Sequence, residues 1–191
     1  MNQSRTLPRG PVLPVRSRPE HKPWAEFSPC GRYRYVLAWP TGAIDAAGHY
    51  DARYALFVLA NPSTATAEQT DPTVARCIAY AKRWGYGWCR VVNVRAWRET
   101  DPRKLPADPL AISEPGEPAL NDDTIQAHAM GAGIVVCGWG KLGGERGPQV
   151  LSYLRAAGVT PHALKLNQDG GPAHPLYLRA DAHPFPMKKG A

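Results

Sequence analysis

Residues 54–94 read YALFVLANPSTATAEQTDPTVARCIAYAKRWGYGWCRVVNV, and the succession of element types within them decides the fold. Tyr54 to Ala60 is continuously apolar, as expected of a strand covered on both faces. Asn61-Pro62-Ser63-Thr64 ends it with turn chemistry. Asp71-Pro72 then supplies a helix N-cap and a proline at the first helical position. Val74, Cys77, Ile78, Ala81 and Trp84 repeat at helical spacing before Gly85 closes the segment. A second strand, CRVVNV, follows at 89–94. Strand, helix, strand within 41 residues is a parallel βαβ unit.

The pattern continues downstream. A polar, proline-rich loop spans 95–118, and a helix is expected from about Glu117 to Met130, with Asn121, Asp122 and Asp123 favouring its early turns. GIVVCGW at 133–139 is a strand, the glycine-rich GKLGGERGPQ a loop, Gln149–Ala157 a helix and HALKL at 162–166 a last strand. Upstream, YRYVLAW at 33–39 is a strand that the connection TGAIDAAGHYDAR would fold back as an antiparallel partner of 54–60. The expected fold is α/β, a three-layer α/β/α sandwich whose central, mostly parallel sheet has four strands plus an N-terminal antiparallel strand or hairpin. Residues 1–23, rich in proline and almost without apolar periodicity, read as a flexible basic arm, 24–183 as a single α/β domain and 184–191 as a basic tail.

A length of 191 residues suits one domain, and 43% hydrophobic with 20% charged residues excludes disordered, collagen-like and coiled-coil classes. Apolar runs fall short of the roughly 18 residues needed to span a bilayer, and the first residues lack an apolar signal core, so a cytoplasmic protein without a membrane partner is expected. The net charge of +7 is concentrated in the tails. Arg5, Arg9, Arg16, Arg18 and Lys22 against Glu20 give the first 24 residues +4, Lys188 and Lys189 add two, and residues 25–187 keep about +1. Cys30, Cys77, Cys89 and Cys137 form no CxxC pair, so neither a metal site nor an iron–sulfur cluster nor another cofactor is expected. Cys89 and Cys137 sit in apolar strands and read as buried thiols. A monomer is the expected state.

Ligands of open α/β sheets bind beyond the carboxyl ends of the strands. Four segments fall there: 61–64, 93–98, 138–144 and 167–179. Asn61 either caps its own turn or orients a water or a ligand carbonyl. Asn93 interrupts an apolar strand, and its carboxamide either matches a nucleobase edge or bonds a neighbouring loop. Arg95, Trp97 and Arg98 bring cations and a flat ring suited to phosphate and base, or else form a solvated loop. Gly138 to Gly144 lacks a Walker pattern, and Lys141 within it is a further cation. His174, fixed by Pro175, could donate to an oxygen that gains charge, or be incidental. Asp71 is explained by its capping role.

The runs NPSTATAEQTDPTVARCIAYAKRWGYG, VVNVRAWRETDP, NDD and GGPAHPLYL together resemble domain-of-unknown-function family 1643 of bacteria and phages, over roughly residues 32–180. The order of motifs is also similar to the uracil-DNA glycosylase superfamily, with its four-stranded α/β/α fold. In its mismatch-specific branch the first strand ends in GINPG, and Ala60-Asn61-Pro62-Ser63 falls at that place, with Ser63 where the motif has glycine. By that resemblance Asn61 positions the attacking water and Ser63 joins the base site. Val91-Val92-Asn93-Val94 is similar to the strand-end motif that reads the base, so Asn93 and Trp97 would hold it. His174-Pro175-Leu176-Tyr177-Leu178 looks like the HPSPL motif, which makes His174 the stabiliser of the departing base and Leu176 or Tyr177 the wedge entering the duplex. Arg95, Arg98, Lys141 and Arg179 would hold phosphates.

The implied activity is hydrolysis of the N-glycosidic bond of a damaged or modified base in DNA, without a cofactor. Two alternatives stand beside it: a non-catalytic module that binds nucleic acid or a nucleotide, and a small-nucleotide hydrolase or base-modifying enzyme.

Overall fold

The structure, a computed structural model, describes residues 21–43 and 51–188. The proline-rich arm lies outside these apart from residues 21–23. Seven strands form one sheet: β1 (Trp24–Phe27), β2 (Arg34–Pro40), β3 (Tyr54–Leu59), β4 (Trp88–Asn93), β5 (Ile134–Cys137), β6 (Pro161–Ala163) and β7 (Phe185–Pro186). Their order is β1-β2-β4-β3-β5-β6-β7. The four central strands β4, β3, β5 and β6 are parallel, and antiparallel strands extend both edges. The helices are α1 (Pro72–Arg83), α2 (Leu120–Met130) and α3 (Arg146–Ala156).

β3 is buried along its whole length, and its alternate residues feed two cores. Ala55, Phe57 and Leu59 meet Val74, Cys77, Tyr80 and Ala81 of α1. Leu56 and Val58 meet Ile125 and Ala129 of α2 and Val150, Leu151 and Leu154 of α3. One helix on one face and two on the other is the outcome of right-handed crossovers when the chain steps from β3 to β4 and then back past β3 to β5 and β6. α1 begins as its sequence dictates: Asp71 accepts from the Val74 amide at 2.8 Å and Pro72 occupies the first turn. It ends where Gly85 takes φ +77°, and Trp84 stacks between Tyr80 and Phe57.

Two expectations are corrected. β2 does not pair with β3: both edges of β3 are taken by the parallel neighbours β4 and β5, so β2 lies antiparallel on β4, with Leu37 opposite Val91 and Trp39 opposite Cys89. The parallel core has the four strands expected, β4, β3, β5 and β6, with the N-terminal antiparallel strands β1 and β2 at one edge; the short β7 extends the other edge. The stretch read as a tail from residue 184 supplies β7, which pairs with β6, and beyond it Met187 is buried with its amide on the Pro161 carbonyl at 2.8 Å. Cys77, Cys89 and Cys137 are buried, and burial pushes all three thiols up, while Cys30 is exposed. No helix among the described residues is long and apolar enough to cross a membrane.

Met187 fills the α2–α3 core, so Met187→Ala should lower the unfolding free energy by about 2 kcal/mol or more in urea titrations. A dispensable tail would leave the midpoint unchanged.

Candidate functional site

Between β3 and β5 the following connections diverge, one towards α1 and the other towards α3, which opens the sheet's carboxyl edge at a topological switch point. The segment after β6 crosses this edge. Pro172 accepts from the Gly140 amide at 3.0 Å, and Tyr80 of α1 donates to the Arg179 carbonyl at 2.6 Å. A Cβ on Gly138 would lie 2.7 Å from Cδ of Pro175, so glycine is required for the crossing to sit this close. His174 is thereby placed over the end of β5. Its Nδ1 accepts from the Leu176 amide at 3.4 Å, leaving Nε2 to carry the proton of the neutral ring. Burial pushes its pKa down, partly offset by the Asp71 carboxylate.

A register slip in β2 shapes the other end of the edge. Val36 pairs with Glu26 and Arg34 with Phe27, so Tyr35 is the extra residue of a β-bulge. Strict alternation would send Arg34 to the α2 face with Val36; the bulge turns it to the α1 face instead, with Leu37. There the guanidinium donates to the Ala65 carbonyl at 2.8 Å and to Oδ1 of Asn93 at 3.3 Å. Arg34 is 2% exposed, and burial pushes its pKa down to about 10. On the opposite face Asn121 donates to the Asn93 carbonyl at 3.0 Å and Arg146 to the Val94 carbonyl at 3.1 Å, with Asp122 pairing the Arg146 guanidinium. The carboxyl end of β4 is therefore clasped by arginines on both sides of the sheet.

Next to the loop that Arg34 bonds through Ala65, a cleft of about 420 Å³ is lined by Gly31, Arg32, Ser63, Thr64, Trp97, Arg98, Glu99 and Thr100. The bridge between Tyr33 and Trp97 brings its two walls together, and Tyr33 packs edge-on against the Trp97 ring at 5.3 Å. Arg32 lies over the same ring at 6.0 Å. Arg98 donates to the Gly31 carbonyl at 3.1 Å and stacks on Phe27 at 4.9 Å. The cleft combines an aromatic ring, two guanidiniums, three hydroxyls and the Glu99 residue, a set suited to a planar ring bearing polar or anionic substituents.

Of the residues singled out from sequence, Ser63, Trp97 and Arg98 line this cleft together. Asn61 borders it: its amide nitrogen donates to the Glu99 carbonyl at 2.7 Å and to Pro62 at 3.1 Å, and among the described residues nothing donates to its Oδ1. Asn93 is 1% exposed, beside Arg34 and outside the lining. Arg95 is drawn away towards Asp108 and the Leu142 carbonyl. Lys141 is exposed on the turn after β5, and Arg179, also exposed, pairs with Asp181. His174 is not in the lining either; beside it Leu176 is partly covered and Tyr177 is 82% exposed. Sequence reasoning missed Arg32, Arg34, Glu99, Asn121 and Arg146. An arginine opening an apolar strand, as Arg34 does, is the one local signal that marked any of them.

The protein is thus a doubly wound α/β protein with a polar cleft at the carboxyl edge of its parallel core. It belongs to the family described as "Protein of unknown function (DUF1643)", whose model matches residues 34–176, from Arg34 to the turn that holds His174. No curated protein and no solved structure matches the chain.

Two measurements test this geometry. Asn93→Ala removes the acceptor of a buried guanidinium and should cost about 1–3 kcal/mol of stability, read by denaturant unfolding. The His174 imidazole should titrate below its ordinary value by NMR, and further below in Asp71→Asn. Because its folded pKa is depressed, the stability it contributes is present above the ordinary histidine pKa and is lost as pH falls through the folded one.

Proposed function

We propose that this protein recognises a nucleobase in the cleft beside Trp97 and hydrolyses its N-glycosidic bond, acting on a damaged or modified base in DNA or in a nucleotide. The observation that carries the reading is that Ser63, Trp97 and Arg98 line one cleft, joined there by Arg32. The reading also uses the order of polar groups along the core: Asn61 follows β3, Asn93 ends β4 and His174 follows β6, each at a carboxyl end of the parallel strands.

In this reading Trp97 stacks on the base, while Arg32 and Arg98 neutralise phosphate. Oδ1 of Asn61 accepts from a water whose oxygen attacks the anomeric carbon. The C–O bond forms as the C–N bond breaks, and the bonding pair leaves on the base. The water's proton ends on the departing base or in solvent. Tyr177, exposed next to His174 at 5.7 Å between rings, is the side chain available to enter a duplex.

A second reading, a binding module without catalysis, is favoured by the commitments around the cleft. The Asn61 amide nitrogen is held by backbone carbonyls, and Oε1 of Glu99 is held by the Thr100 and Asp101 amides.

Oligonucleotides carrying uracil, hypoxanthine, a thymine mismatch or hydroxymethylated pyrimidines, and the matching nucleotides, separate the two. The expected result is release of one of these bases under single-turnover conditions, seen as alkali-labile sites or free base. Asn61→Ala should slow release about 100-fold. Binding with no release from any substrate would overturn the hydrolase reading and leave the module.

A further inference from the structure

Arg34 is a buried guanidinium without a carboxylate in contact, the Asp71 carboxylate favouring its charge only from a distance. Among the described residues no acidic group lies within ion-pair distance of it, and its two hydrogen bonds go to a neutral carbonyl and a neutral amide. Its Nε has no partner, and neither has Nδ2 of Asn93, the residue it touches. Both orphans are donors, and both belong to side chains more than nine-tenths buried. Protein interiors rarely leave such groups unpaired, and a buried cation is ordinarily balanced by an anion.

The pair lies close to the cleft. Arg32 lines it, and Arg34 is two residues further along the same chain, at the start of β2. The cover between them is the loop that follows β3. Ser63 and Thr64 form its cleft side, while Ala65 and Thr66 rest on the side chains of Arg34 and Trp39 through single carbonyl bonds of 2.8 and 3.2 Å. A ligand anion that passes this loop meets the two unpartnered donors, Nε of Arg34 and Nδ2 of Asn93.

We propose that Arg34 and Asn93 form an anion subsite at the inner end of the cleft, which receives the terminal phosphate of a nucleoside monophosphate. The inference rests on the nucleobase reading of the cleft and narrows it. Arg34 and Asn93 are almost fully enclosed, and a terminal phosphate can end against such a pair, whereas the internal diester of a continuous strand has to leave it again. The near-neutral charge of residues 25–187 also suits a small ligand better than a DNA surface.

Calorimetric titration of the full chain with uridine, uridine 5′-monophosphate, adenosine, adenosine 5′-monophosphate, the dinucleotide diester and inorganic phosphate tests it. For at least one base, the monophosphate should bind at least tenfold more tightly than the nucleoside and the diester. Arg34→Met should erase that advantage while leaving nucleoside affinity intact, and Arg34→Lys should restore part of it. Equal binding of nucleoside and monophosphate by the unaltered protein overturns the subsite whether or not any variant folds, and so does an equal loss of both ligands in Arg34→Met. Binding of inorganic phosphate alone overturns the nucleotide assignment. If no nucleoside or nucleotide binds, the cleft reading itself fails and the subsite with it.

Discussion

The complete burial of β3 is the constraint on which the rest of the structure depends. A six-residue strand with apolar side chains on both faces needs a hydrogen-bonded neighbour at each edge and a helix layer above and below. Parallel β4 and β5 meet the first need, and α1 on one side with α2 and α3 on the other meet the second. Once β3 is central, the direction of each crossover is settled. The polar segments that end the parallel strands then gather at one edge, with the greatest opening where the chain changes direction.

That edge is organised as much by what holds the strand ends as by what faces solvent. Asn93 terminates β4 in an apolar environment, where Arg34 from β2 and Asn121 from α2 bond it and Arg146 from α3 holds the next carbonyl, that of Val94. The bulge at Tyr35 is what makes the first contact possible. It serves two ends at once, because the same displaced backbone sends Tyr35 into the small cluster with Tyr33 and Ala96 that supports the cleft floor.

Much of this was legible in the sequence. The alternation of strand and helix from Tyr54 onward, the Asp71 cap and the buried character of Cys89 and Cys137 all follow from local pattern, because each depends on neighbours within a few residues. β1 and β7 were not legible: four and two residues are too few to display a period. The partner of β2 was misread because adjacency in sequence favours a hairpin, whereas pairing is decided by which strand edge remains open. Ser63, Trp97 and Arg98 could be named from their positions after strands. Arg32 and Arg34 could not, since the register slip and the Tyr33–Trp97 bridge that place them are tertiary features.

The cysteine distribution has a practical side. Three thiols are enclosed in the cores and held protonated by burial, which shields them from alkylating and oxidising reagents. Cys30 stands alone at the surface, immediately before the Gly31–Arg32 wall of the cleft. The chain therefore carries a natural handle for attaching one dye or spin label at a defined stoichiometry, within reach of the cleft and without engineering.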